Sequence, residues 1–174
     1  MMRVLIVVES SFGNTRAVAD AMAEGMRQFA TVEVCPVAEV STGSPPLVDL
    51  LVVGGPTHAF GMSRPATRKD AAEQAGHGDA PGVGVREWLE ALSPGVGWAA
   101  AFDTRIGKGW ITGSAARAIA RRLRGLGGEL VVKPESFLVT GTSGPLVDGE
   151  RDRARRWGEQ LVTKFAAIDV RPRR

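Results

Sequence analysis

Residues 2–16 read Met2-Arg3-Val4-Leu5-Ile6-Val7-Val8-Glu9-Ser10-Ser11-Phe12-Gly13-Asn14-Thr15-Arg16. The stretch 2–8 is almost continuously apolar, as expected of a central parallel strand covered on both faces. Two hydroxyls and a glycine follow, and then Asn14 and Thr15 open a helix. At such a junction the free N–H groups of the first helical turn and the helix dipole can cradle an anion. Ser10, Ser11 and Thr15 add hydroxyl donors, and Gly13 lets backbone approach a ligand closely. An ordinary helix cap by Ser11 or Asn14 is the competing reading of the same residues.

Strand and helix alternate along the rest of the chain. The spacing of Val18, Met22, Met26 and Phe29 predicts a helix over 14–29 with those four on its buried stripe. Residues 31–35 alternate, with Glu33 between Val32 and Val34, and read as an edge strand with one solvated face. Leu50–Val53 reads as a short buried strand, followed by a glycine-containing irregular stretch over 54–64. Pro65 suits a first helical turn and predicts a helix over 65–75. Gly76, Gly78, Pro81, Gly82 and Gly84 interrupt the chain before a helix over 85–92. Trp98–Phe102 takes the place of a fourth strand.

An amphipathic helix over 114–126 turns Ala116, Ile119, Ala120 and Leu123 inward and Arg117, Arg121 and Arg124 to solvent. Residues 129–139 read as a fifth strand interrupted by Pro134, which removes a ladder donor and marks an edge. A last helix runs over 148–165, with Asp148, Glu150 and Asp152 at its positive end and Ala154, Trp157, Leu161 and Phe165 inward. The second and fifth strands are edges, while the first, third and fourth are central. That is the signature of an α/β domain with a doubly wound five-stranded parallel sheet ordered 2-1-3-4-5. A dinucleotide-binding sheet would need a sixth strand and a Gly-x-Gly-x-x-Gly turn after the first, and neither is visible.

In this architecture ligands sit beyond the carboxyl ends of the strands, which selects the loops after strands one, three and four. The first, Ser10-Ser11-Phe12-Gly13-Asn14-Thr15, resembles the FMN-phosphate loop of the flavodoxin family, with serine for the first threonine and Phe12 at the middle position, where flavodoxin-like quinone reductases also place an aromatic. The resemblance extends through element order over nearly the whole chain and implies a flavodoxin-like three-layer sandwich. It implies that Pro56, Thr57 and His58 of Gly54-Gly55-Pro56-Thr57-His58-Ala59-Phe60-Gly61-Met62 line the flavin ring, with Phe60 and Gly61 closing over it. It also implies a third wall at Phe102-Asp103-Thr104-Arg105. A His58 or Arg105 charge beside the flavin N1 edge would favour the hydroquinone anion and two-electron chemistry. Two features depart from flavodoxins: the 174 residues contain no tyrosine to stack on the outer ring face, and the chain is not acidic. The resemblance implies FMN as cofactor, and electron transfer or a small oxidoreductase activity with a redox partner protein or small substrate. The alternative is a flavodoxin fold that does not use FMN, serving as an interaction domain or binding another phosphorylated or deazaflavin cofactor.

The remaining features bound other chemistries. The net charge is +3, and three of the 22 basic residues, Arg171, Arg173 and Arg174, stand at the C-terminus. The body, residues 1–166, is therefore nearly neutral, and 167–174 reads as a solvated basic tail without a nucleic-acid motif. The apolar start is too short to span a membrane. The single cysteine, Cys35, cannot form an intrachain disulfide and fits a reducing cytoplasm. His58 and His77, the only histidines, give no metal pattern. Ser10, His58 and Asp103 lack the Gly-x-Ser-x-Gly elbow of a hydrolase. A phosphoacceptor receiver would need an aspartate ending the third strand, where this chain has Gly54-Gly55.

Overall fold

A computed structural model describes residues 1–76, 82–107 and 113–169. The elements run β1 (Met2–Val8), α1 (Asn14–Met26), β2 (Ala30–Pro36), a 3-10 turn (Val37–Glu39), β3 (Leu50–His58), β4 (Gly61–Met62), α2 (Pro65–Gln74), α3 (Val85–Ala91), β5 (Trp98–Ile106), α4 (Ala115–Gly125), β6 (Glu129–Leu130), β7 (Glu135–Val139) and α5 (Glu150–Asp169). The main path of the sheet is β2-β1-β3-β5-β6, with β7 also paired to β5 and β4 to β3. This is the expected doubly wound order.

The strand count is seven rather than five, for two physical reasons. The expected fifth strand is two strands. Val131 N–H still reaches Ala99 O, but the chain then leaves the ladder before Pro134, which has no N–H to give, and rejoins β5 as β7, pairing Phe102 with Glu135. The second addition, β4, is the return arm of a hairpin on β3, with Thr57 paired to Met62 and His58 to Gly61. The stretch 54–64, expected to be irregular, is therefore mostly strand. β3 continues through Gly54 and Gly55 because the Phe102 ring, from the neighbouring strand, occupies the space a Gly54 side chain would need. A Cβ there would lie 2.1 Å from that ring.

Alternation along the central strands divides the interior in two. Ile6, Val52, Phe102 and Phe137 face α1 and α5 with Met22, Trp157 and Leu161. Val7, Val53, Ala101 and Leu51 face α3 and α4 with Trp88, Leu89, Ile119 and Leu123. Each large side chain so buried contributes about 1.5–3 kcal/mol. Phe29 is a correction to the expected stripe. α1 stops at Met26, the chain turns into β2, and Phe29 is left half-exposed. On α4 the inward and outward sets are as expected, with Ser114 capping its start by accepting from Arg117 N–H at 3.3 Å. α5 continues through Asp169, and residues 170–174 of the basic tail lie outside the described residues. So do His77, Gly78, Pro81, Lys108, Gly109 and Trp110. No helix among the described residues is long and apolar enough to cross a membrane.

Candidate functional site

The site forms where β1, β3 and β5 end. Gly13 takes a left-handed conformation, φ 87°, at the N-cap of α1. Ser10 Oγ accepts from Gly13 N–H at 3.1 Å and from Arg16 N–H at 3.3 Å, folding the loop back on itself. The N–H groups of Ser11, Phe12, Asn14 and Thr15 have no hydrogen-bond partner among the described residues. They are donors without acceptors at a helix start, the condition for holding an anion. The Asn14 side chain packs against Gly144, where a Cβ would lie 2.5 Å from it. Thr15 is buried, its hydroxyl 2.7 Å from that of Thr104 on β5.

Across from this loop, β3 and β4 meet in a two-residue turn at Ala59 and Phe60. Both have positive φ, 42° and 74°, a conformation that costs non-glycine residues about 1–3 kcal/mol each. The turn rests on Gly113, whose absent Cβ would strike Phe60 O at 2.0 Å. Phe60 itself is 69% exposed at the tip.

The residues Phe102–Arg105, expected as a loop, are the end of β5, so their side chains alternate. Phe102 is in the core against Gly54. Asp103 is fully buried on the opposite face, where one carboxylate oxygen accepts from Ser114 Oγ at 2.7 Å, Ala116 N–H at 2.9 Å and Thr57 Oγ1 at 3.0 Å. Asp103 therefore fastens the start of α4 to β3 and β5. Arg105 donates to Gly113 O at 2.6 Å.

These elements enclose a cavity of about 290 Å³. It is lined by Ser11, Phe12, Asn14 and Thr15 from the first loop, by Pro56, Thr57 and His58 from β3, and by Thr104 and Arg105 from β5. Nine of the expected residues are thus brought together. Ser10 and Gly13 shape the loop without lining the cavity, Phe60 and Gly61 belong to the hairpin beside it, and Phe102 and Asp103 are buried behind it. Residues not anticipated also line it: Thr67, Asp70, Ala71 and Gln74 of α2, together with Ala59, Ile106, Val139 and Thr142. The α2 set has the i, i+3, i+4, i+7 spacing of a single helix face, a signal present in the sequence but carried by polar residues that no apolar stripe marked.

His58 is half-buried, its Nδ1 3.2 Å from Thr67 Oγ1. Burial holds its imidazole below the usual histidine range; Glu9 opposes this and Arg68 reinforces it. Arg105 and Asp70 place one charge of each sign on the cavity wall. No group of His, Cys, Asp and Glu among the described residues could hold a metal ion.

The sequence matches no protein-family model and is not significantly similar to any functionally curated protein. Solved structures do match. An archaeal flavodoxin superposes with a TM-score of 0.64 at 20% identity over 95% of this chain and 99% of its own. Flavodoxin 1 of Bacillus cereus gives 0.60 at 17% over 92% and 97%, and a flavodoxin, WrbA-like protein from Agrobacterium tumefaciens gives 0.56 at 17% over 96% and 99%. The chain has the flavodoxin fold. The cavity lies outside the carboxyl ends of β1, β3 and β5, at the switch point where an open α/β sheet of this order holds its ligand.

Proposed function

We propose that the protein binds FMN in this cavity and acts in electron transfer or as a small flavin-dependent oxidoreductase. The observation that carries the reading is the set of unpartnered N–H groups at Ser11, Phe12, Asn14 and Thr15, at the edge of a cavity of about 290 Å³. These groups, with the Ser11 hydroxyl, would hold the phosphate. Pro56, Thr57 and His58 on one side and Thr104 and Arg105 on the other would bound the ring. Bound FMN supplies one- or two-electron redox chemistry. The protein contributes a fixed anion cradle, a partly apolar wall that excludes water, and the Arg105 charge, which favours an anionic ligand. Its partner would be a redox protein or a small substrate reaching the ring from the open side.

The test is the absorbance of purified protein before and after FMN addition and desalting. Retention of the two absorption bands of oxidised flavin supports the reading. Ser10→Ala removes the acceptor of two loop N–H groups, each worth about 0.5–1.5 kcal/mol, and is expected to weaken FMN binding about tenfold. Gly13→Asp adds both backbone strain and negative charge and is expected to weaken it further. If neither variant weakens binding, the phosphate assignment fails.

A second reading has its own support. Phe60 is outside the cavity lining, and the chain has no tyrosine, so among the described residues neither supplies an aromatic cover for the outer ring face. A protein that stays colourless after FMN and desalting would favour a different phosphorylated or deazaflavin ligand on the same loop, or an interaction domain.

A further inference from the structure

A second cavity, about 300 Å³ and therefore as large as the first, lies on the other side of the Ser10–Ser11 loop. Helix α2 stands between the two. Its Thr67, Asp70, Ala71 and Gln74 face the first, while Arg68 and Ala72, one turn apart, line the second. The floor and walls are apolar, from Val8 at the end of β1, Val37 in the 3-10 turn and Ala72. Four polar residues interrupt them: Glu9, Ser10, Ser11 and Arg68.

Two of the four are charged and nine-tenths or more buried, Glu9 at 8% and Arg68 at 3% exposure. Glu9 accepts from Ser63 Oγ and from Val85 N–H at 2.8 Å, one donor per oxygen, so each oxygen keeps a free lone pair. Arg68 donates through Nη1 to Ser63 Oγ at 3.0 Å and pairs through Nη2 with Glu87 at 3.1 Å. Its Nε–H is buried with no partner. An orphaned buried donor is costly, and the fold keeps Gly84 to admit this guanidinium, since a Cβ there would lie 2.4 Å from Arg68 Nη1 and 2.8 Å from Glu9 Oε2. Ser10 Oγ already accepts two N–H groups, so its proton is free to donate.

We propose that this second cavity binds a compact, neutral, aromatic primary amide. An apolar body fits walls of this kind and volume. The amide NH₂ would donate to Glu9, and its carbonyl would accept from Arg68 Nε–H and from a serine hydroxyl. An ammonium has no acceptor to offer the orphaned Arg68 Nε–H, and charge disfavours an anion. Arg68 is already paired with Glu87, and Glu9 faces the cavity, so a carboxylate in place of the amide meets an uncompensated like charge. The site makes no use of the flavin reading and stands or falls without it.

The experiment titrates benzamide, benzoate and benzylammonium into the full-length protein, read by amide and arginine Nε resonances in heteronuclear NMR. Saturable benzamide shifts at Ser11, Ala72 and Arg68 Nε are expected, with benzoate at least tenfold weaker and benzylammonium weaker than benzamide. Ala72→Leu, which fills the cavity, should abolish them while leaving FMN retention intact. Ala38→Leu, in the 3-10 turn that also lines this cavity, is the second variant should the first fail to fold. Absence of saturable shifts, shifts confined to Thr67 and Gln74, benzoate binding as tightly as benzamide, or shifts that survive both folded variants would each overturn the proposal.

Discussion

At the scale of single residues, the same side-chain chemistry takes its role from its surroundings. Asp103 lies within β5 behind the cavity, where one of its carboxylate oxygens accepts from Thr57, Ser114 and Ala116. Thr15 and Thr104 tie helix to strand. Both also line the cavity, so this bond fixes its wall. Cys35 lies on the edge strand and donates to Glu33 at 3.1 Å. Burial, the Glu33 hydrogen bond and nearby carboxylates push its thiol up to about 11, and the thiolate is the reactive form. Alkylation by iodoacetamide should therefore rise steeply through the alkaline range, with its midpoint near pH 11. Urea-unfolded protein should react far faster at pH 8, close to the rate of an ordinary cysteine of pKa about 8.5. Equal rates for folded and unfolded chains at that pH would contradict this environment.

At the scale of elements, two contacts decide how the layers close. Helices α1 and α5 cross through glycines on both sides. A Cβ on Gly25 would lie 2.0 Å from Arg155 O, and one on Gly158 2.4 Å from Met22 O. Gly158→Ala is expected to destabilise the fold by about 1–3 kcal/mol, as overpacking of a tight contact does, measured by urea denaturation. A stability equal to the parent's would mean that the helices can separate without cost. The second contact is the sealed edge of the sheet. On β7, Leu138 N–H donates to Glu150 at 2.7 Å, Leu138 O accepts from Val147 N–H at 2.9 Å, and Ser136 O accepts from Arg153. The Arg153 guanidinium also covers the Phe137 ring, 4.4 Å from its centroid. Unpaired edge groups are templates for association. Arg153→Ala should therefore lower stability by about 1–2 kcal/mol through the lost charged hydrogen bonds and introduce concentration-dependent self-association, readable by sedimentation. A variant that stays monomeric at high concentration would show that Val147 and Glu150 seal the edge alone.

At the scale of the whole molecule, the cavity and the stability of the fold share a titrating group. His58 has its pKa lowered in the folded chain from an ordinary value of 6.5, first by burial. The unfolded chain therefore binds its proton more readily. The favourable contribution of neutral His58 is complete above about pH 6.5 and is lost as pH falls through the lower folded value. Glu87 behaves separately. Burial alone would raise its pKa, but the Arg68 hydrogen bond and charge hold it below 4.5, so its loss comes only in stronger acid. Urea denaturation between pH 7.5 and 5 should show stability falling, with a shallower fall in His58→Gln. An identical slope in both proteins would remove His58 as the cause.

Much of this was written in local sequence. The continuous apolar run Val4–Val8 and the alternation at Val32 and Val34 determined which strands are central and which are edges, because burial on one face or two dictates the pattern. Ser10–Thr15 determined the loop with its unpartnered N–H groups, because a glycine with left-handed freedom followed by a helix start is a short-range property. The hairpin at 58–61, the split of the last strand and the strand character of Gly54–Gly55 were decided by partners distant in the chain. Phe102 occupies the space over Gly54, Gly113 supports the Ala59–Phe60 turn, and Pro134 breaks a ladder whose other rail is β5. The α2 wall of the cavity and the Glu9–Ser63–Arg68 chain of hydrogen bonds were likewise settled only by packing. A polar helix face is a solvent face until another surface closes over it, and that closure requires the assembled sheet.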